Sequence, residues 1–312
     1  MLFDKLNLLF LATVAASVAY CLAMPGAFFV QVILWATLAA TLGAGIRFVM
    51  LVGELNIGTS AFYGIGGYTA AYLTTAYGLP FGVALVAAGI AGGLVAAVFG
   101  YATMRTSGAY FMLISFAFAE IFRMLVVESD FLGGNNGIIG LFVSVEYEPY
   151  FAATVVAILA TLISALAVIE NSSLGKSFIA IREREEIARS VGINVLAIRV
   201  LCLVISSVVI AVAGACSGFI THLVTPNDYT FMIAVFALAY VKLGGEEHPT
   251  GPILGAILLT LAAQYLISFG AYQQVFFGTV IAVAMILLPQ GITGRLRDLV
   301  RLTAKRTARD AG

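Results

Sequence analysis

The sequence predicts an all-α polytopic membrane protein of about ten transmembrane helices with both termini cytoplasmic. Three observations predict it. Of 312 residues, 62% are hydrophobic and 10% charged, whereas soluble domains are about half apolar and a quarter charged. The apolar residues gather into runs close to the roughly 20 residues that a crossing helix needs. Lys and Arg fall on one set of alternating connections between those runs, as the positive-inside rule requires.

Ten runs qualify: 7–24, 28–50, 57–77, 81–103, 108–127, 151–169, 198–220, 229–243, 251–269 and 272–289. The first lacks a small-residue cleavage site and reads as a retained anchor. The eighth is short and reads as a broken or re-entrant helix. Several runs are rich in Gly and Ala, which let helices approach closely in lipid. With both ends inside, outer connections fall near 25–27, 78–80, 128–150, 221–228 and 270–271, and none holds a Lys or Arg. The largest of them carries Glu128, Asp130, Glu146 and Glu148. The inner side receives Lys5, Arg105, a cluster between 176 and 199, and a tail with Arg295, Arg297, Arg301, Lys305, Arg306 and Arg309. A formal net charge of zero therefore conceals strong sidedness.

One transmembrane domain, 1–292, is expected, with a cytoplasmic loop at 170–197 and a basic cytoplasmic tail at 293–312. The unit of helices two to five starts from the outside and that of seven to ten from the inside. Such opposed units are a possible inverted repeat, an arrangement that places a solute path near mid-membrane.

Chemistry of its own is not expected. Cys21, Cys202 and Cys216 lie in or near crossing runs without Cys-x-x-Cys spacing and read as small packing residues. His222 and His248 stand apart in connections. Nucleophile, zinc-protease and paired-carboxylate patterns are missing, so no catalytic residue, metal site or cofactor is assigned. Nothing points to nucleic acid.

The loop "NSSLGKSFIAIREREEIARSVGIN" (171–194) crowds Lys176, Arg182, Glu183, Arg184, Glu185, Glu186 and Arg189 together. Its Gly-Lys-Ser has the ending of a phosphate-binding loop, but Glu170 stands where the first glycine belongs and a crossing helix precedes it. The passage reads instead as an amphipathic helix over 181–192, with Ile187 and Val191 at i, i+4. Glu185 and Arg189 form an i, i+4 pair, and Gly192 stands at the C-cap. Two roles fit: a solvated helix whose charges set topology, or a docking helix with a small apolar face and a charged rim.

Elsewhere, Gly58, Gly64, Gly66 and Gly67 strip side chains from the third run, for close packing or for a locally unwound backbone that lines a path. Glu120 and Arg123, i and i+3 in the fifth run, form a structural ion pair or contact solute. Gly133, Gly134 and Gly137 make a flexible outer turn, a plain connection or a docking surface.

The residues also carry a resemblance. Glu186-Ile187-Ala188-x-x-x-Gly192 looks like the Glu-Ala-Ala-x-x-x-Gly coupling loop of ABC importer permeases. The fuller "SLGKSFIAIREREEIARSVGINV" resembles the corresponding loop of LivM-like permeases in the branched-chain amino acid transporter family. "NIGTSAFYGIGGYTAAYL" (56–73), "RTSGAYFMLISFAFAEIFR" (105–123), "GGNNGIIGL" (133–141) and "LGGEEHPTGPILGAIL" (243–258) resemble further motifs of that family in the same order.

The resemblance implies the permease subunit of an ABC importer in the cell inner membrane. It implies a second, LivH-like permease subunit, two cytoplasmic ATPase subunits that bind the ATP, and an extracytoplasmic substrate-binding protein, all assembled in the lipid bilayer. It places ATPase coupling at Arg182, Glu183, Glu186, Ile187, Ala188 and Gly192. A translocation-path or structural role falls to Glu54, Asn56, Gly58, Gly64, Gly66, Glu120 and Arg123. Binding-protein docking falls to Gly133, Gly134 and Gly137. Asn56, Thr59 and the added Glu54 depart from the family pattern, as do Glu246, Glu247 and His248. They leave the cargo open among branched-chain amino acids and the urea, amides and small carboxylates that the family also handles. The alternative from the residues is a stand-alone secondary transporter, which would need more carboxylates at membrane depth.

Overall fold

A bilayer offers no water to backbone amides, so a chain this apolar meets their hydrogen bonds within helices. The computed structural model describes residues 2–24 and 28–266, together with 275, 278, 279, 282 and 291–294. Its helices are α1 (Leu2–Ala23), α2 (Phe28–Met50), α3 (Thr59–Tyr77), α4 (Phe81–Thr103), α5 (Ala109–Glu128), α6 (Glu148–Asn171), α7 (Ser173–Glu183), α8 (Glu185–Ser190), α9 (Val195–Thr221), α10 (Met232–Gly244) and α11 (Gly251–Leu266). Among the described residues, α2, α4, α5, α6 and α9 are long and apolar enough to cross a membrane. Helices α1, α3, α10 and α11 occupy four more of the expected runs. Most of the tenth run, 272–289, and the tail beyond 294 lie outside the described residues.

Helix α9, 27 residues long, is the centre of the bundle and packs on α2, α3 and α4. Small residues make this possible. A Cβ on Gly66 would overlap the carbonyl of Ala211, and one on Gly214 would overlap that of Tyr63. Helices α3 and α9 thus cross backbone to backbone, the close approach that glycine permits in lipid. Helix α2 packs on α6, α10 and α11.

The connections gather at two ends. At one, β1 (Ile138–Ile139) pairs antiparallel with β2 (Leu223–Val224). At the other, Arg47 binds Glu170 and the carbonyl of Glu246, and Glu54 accepts from the Gly108 amide. Each of these contacts joins connections that Lys and Arg placement assigns to one side.

Two expected helices differ. The third run is helical from Thr59, and Glu54–Gly58 forms a non-helical segment between α2 and α3. Gly53 at φ +85 starts it, and the Ile57 amide donates to Ser115 Oγ instead of to a helical carbonyl. The single helix expected over 181–192 is two, α7 and α8, broken at Arg184 with φ −151 and ψ 90. From Arg182 to Glu186 every residue is charged, so no apolar contact holds a straight helix against the protein there.

The eighth run is short, as expected, but its helix is not broken within it. A 3-10 turn over Pro226–Tyr229 precedes α10, whose 13 residues rise about 20 Å against a hydrocarbon core of about 30 Å.

Candidate functional site

Helix α7 begins at an N-cap, Ser172, whose hydroxyl accepts from the Leu174 amide. It buries Gly175, Phe178 and Ile181 against the inner-end bundle, with Phe178 edge-on to Phe48 at 5.5 Å between centroids. A Cβ on Gly175 would overlap the Glu170 carbonyl. The glycine of Gly-Lys-Ser therefore serves to fold α7 back against the end of α6.

Helix α8 presents two opposite faces. Ile187 is 57% exposed and Val191 72%, while Ala188 is 3% exposed and packs with Ile181 and Val195. Arg182 and Glu183 at the end of α7, and Glu186 and Arg189 on α8, are exposed charges. Ala188 is thus a correction: it does not offer a small surface for close approach by a partner but anchors α8 to its own protein. Roughly 100° per residue sets it on a different face from its neighbour Ile187. Gly192 sits at φ +86, and α8 ends with the Gly192 amide donating to Arg189 and the Ile193 amide to Ala188. That is the left-handed cap expected of a glycine there.

Beneath α8 runs a chain of ion pairs. Glu185 Oε1 pairs with Arg189 Nη2 at 2.6 Å, and its Oε2 accepts from Arg199 Nη2 at 2.9 Å. The same Nη2 lies 3.7 Å from Glu54 Oε1. Glu54 Oε2 in turn accepts from the Gly108 amide at 2.9 Å, at the start of α5. The Arg199 and Glu54 side chains are 8% and 2% exposed. Burial pushes the Glu54 carboxyl above its usual range, opposed by the Gly108 N–H and the Arg199 charge. Sequence reasoning singled out Glu54 but read Arg199 only as a topological charge. The available signal was its place one turn inside α9, where a charge must find partners.

Asn56 is fully buried, and both its amide atoms lack a hydrogen-bond partner among the described residues. A Cβ on Gly58 would lie 3.0 Å from Asn56 Oδ1 and from the Ser115 carbonyl. Gly64 accommodates the Phe122 ring and Gly66 the backbone of α9. The packing reading of these glycines matches their surroundings. Glu120 and Arg123 do pair, at 2.9 Å, with side chains 25% and 29% exposed.

Gly133, Gly134 and Gly137 all have positive φ. A Cβ on Gly133 would overlap the Gly137 carbonyl, and one on Gly137 the Val224 carbonyl. Instead of a loose turn, this is a packed one seated on β2, and its glycines answer to backbone geometry. Exposed side chains beside it are Phe131, Asn135, Ile139 and Phe142.

A cavity of about 410 Å³ lies among α2, α3, α9, α10 and α11 and was not foreseen from the sequence. Trp35, Tyr63, Tyr229, Tyr240, Asp228 and Gln264 are among its lining residues.

Comparison with known proteins bears on this geometry. The family model described as branched-chain amino acid transport system, permease component, matches residues 28–288. The chain is 30% identical over 292 residues to the high-affinity branched-chain amino acid transport system permease protein LivM of Salmonella typhimurium, covering 84% of this chain and 69% of that one. The LivM protein of Escherichia coli matches with the same identity and coverage. A probable branched-chain amino acid transport permease protein LivH of Methanocaldococcus jannaschii is 28% identical over 153 residues, 46% of this chain and 48% of that one. No solved structure gives a significant match.

Proposed function

The chain belongs to the branched-chain amino acid transport permease family, and on that premise we propose that it forms half of the translocation path of an ABC importer in the cell inner membrane. It is a multi-pass permease subunit, and its relatives are transport proteins, not enzymes. The proposed complex joins a LivH-like permease subunit, two cytoplasmic ATPases that bind and hydrolyse ATP, and an extracytoplasmic binding protein. Ten crossings with both termini cytoplasmic, arranged as an inverted repeat, complete the reading. The stand-alone carrier has no support from these relatives.

One observation carries the coupling role: Ile187 on α8 and Val191 at its end are exposed, with the exposed charges Arg182, Glu183, Glu186 and Arg189 close to them in the chain, while Ala188 is buried against Ile181 and Val195. An exposed apolar pair with a charged rim on a rigid mount is suited to a cleft in a soluble partner. At the opposite end, Phe131, Asn135, Ile139 and Phe142 offer the binding protein a contact surface around the Gly133–Gly137 turn. The cavity lined by Trp35, Tyr63, Tyr229, Tyr240 and Asp228 suits a small zwitterion with an apolar side chain, and a branched-chain amino acid is the proposed cargo. Ile187→Asp tests the reading. The variant is expected to insert normally, to lose the ATPases on purification and to lose uptake into vesicles. Full attachment and full uptake would reject it.

A further inference from the structure

Helix α8 is six residues long, with a backbone break at Arg184 before it and Gly192 at φ +86 after it. Such an element has little stiffness of its own along the chain, so its side-chain ties settle what moves with it. Ala188 packs on Ile181 and Val195. The polar tie is Glu185 to Arg199, and Arg199 is shared with Glu54 through one nitrogen.

Three features of that sharing matter. Two carboxylates from segments far apart in sequence compete for one guanidinium, and the one from α8 is nearer, 2.9 Å against 3.7 Å. Among the described residues Arg199 Nε is buried without a hydrogen-bond partner, so a donor stands ready for a second arrangement. Glu54 opens the non-helical segment 54–58 and holds the Gly108 amide, so whatever shifts Glu54 acts on the starts of both α3 and α5. Glu54, 2% exposed, does not give up a cation cheaply, whereas Glu185 is 31% exposed and keeps Arg189 as a second cation, so release of Arg199 costs least on the α8 side.

We propose that Arg199 is a positioning residue that exchanges between Glu185 and Glu54. When α8 is displaced, the guanidinium is released towards Glu54 and draws the 54–58 segment and the α4–α5 turn into a second position. Switching elements of this kind have two packed arrangements, not a continuum. The inference rests on the docking role of α8 but assigns a separate step, transmission from α8 into the membrane part.

The test uses the complete transporter in proteoliposomes with Glu54→Gln and Arg199→Lys. The first keeps an acceptor for Gly108 without the charge, and the second keeps the charge without the fork. Both are expected to retain the ATPases and to hydrolyse ATP within about twofold of the native complex, while solute imported per ATP falls about tenfold. Spin labels at Ser107 and Asn171, both exposed, are expected to change separation on ATP trapping in the native complex and not in either variant. Native uptake per ATP in both variants would overturn the proposal. So would loss of ATPase attachment in Arg199→Lys, since the residue would then hold the docking surface rather than transmit its motion. Failure of the native chain to bind any ATPase would instead reject the docking reading.

Discussion

Arg47 and Glu170 meet as fork and acceptor, with Nη1 and Nη2 donating at 2.6 and 2.7 Å to the two carboxylate oxygens across 123 residues of chain. The remaining donor, Nε, reaches the Glu246 carbonyl at 2.7 Å. One guanidinium thus binds the inner ends of α2 and α6 to the α10–α11 connection.

The first prediction follows from burial, since these side chains are only 5% and 12% exposed. Arg47→Ala or Glu170→Ala leaves an uncompensated charge and is expected to cost about 3–5 kcal/mol. Arg47→Met combined with Glu170→Leu is expected to recover most of that loss. Thermal unfolding in detergent reads both, and additive losses in the double variant would refute the pairing energetics.

The Glu120–Arg123 pair is expected to behave differently because about a quarter of each side chain lies at the surface of α5, which the translocation-path reading sets against water. Glu120→Ala should cost about 0.3–1 kcal/mol, the range for partly solvated helix pairs. Folded yield should stay near native. A collapse of yield would mean that the pair is desolvated by a partner subunit.

Two glycines separate steric from conformational need. Gly66→Ala drives a methyl into the Ala211 carbonyl and is expected to cost about 3 kcal/mol or more as the α3–α9 crossing opens. Gly192→Ala meets nothing within 4 Å. Its cost is the left-handed backbone, about 1–2 kcal/mol. Chemical denaturation of both variants decides it, and equal losses would contradict the distinction.

Sidedness is testable against a quiet background, because Cys21, Cys202 and Cys216 are all buried. A cysteine at Asn135 is expected to react with an impermeant thiol reagent added to intact cells, and one at Lys176 is not. Equal labelling of the two would reverse or abolish the proposed orientation.

Features that depend on chain-local physics were legible from residues. The five helices long and apolar enough to cross a membrane follow from apolar length against bilayer thickness. The Glu185–Arg189 pair and the Gly192 cap follow from helical spacing and from the one residue that takes positive φ freely. The Glu120–Arg123 pair was legible for the same reason.

What the tertiary structure decided is which distant groups share a space. Glu170 was visible in sequence merely as a residue that spoils a phosphate loop, yet folding makes it the acceptor for Arg47. Arg199 looked like a topological charge, yet it lies between Glu185 and Glu54. Ala188 faces inward rather than outward because Ile181 and Val195, set by the break at Arg184, offer it a core. Spacing along a chain states which residues share a helix face, but a buried charge chooses its partner by distance in three dimensions. Only the packing of α2, α6 and α9 supplies that distance.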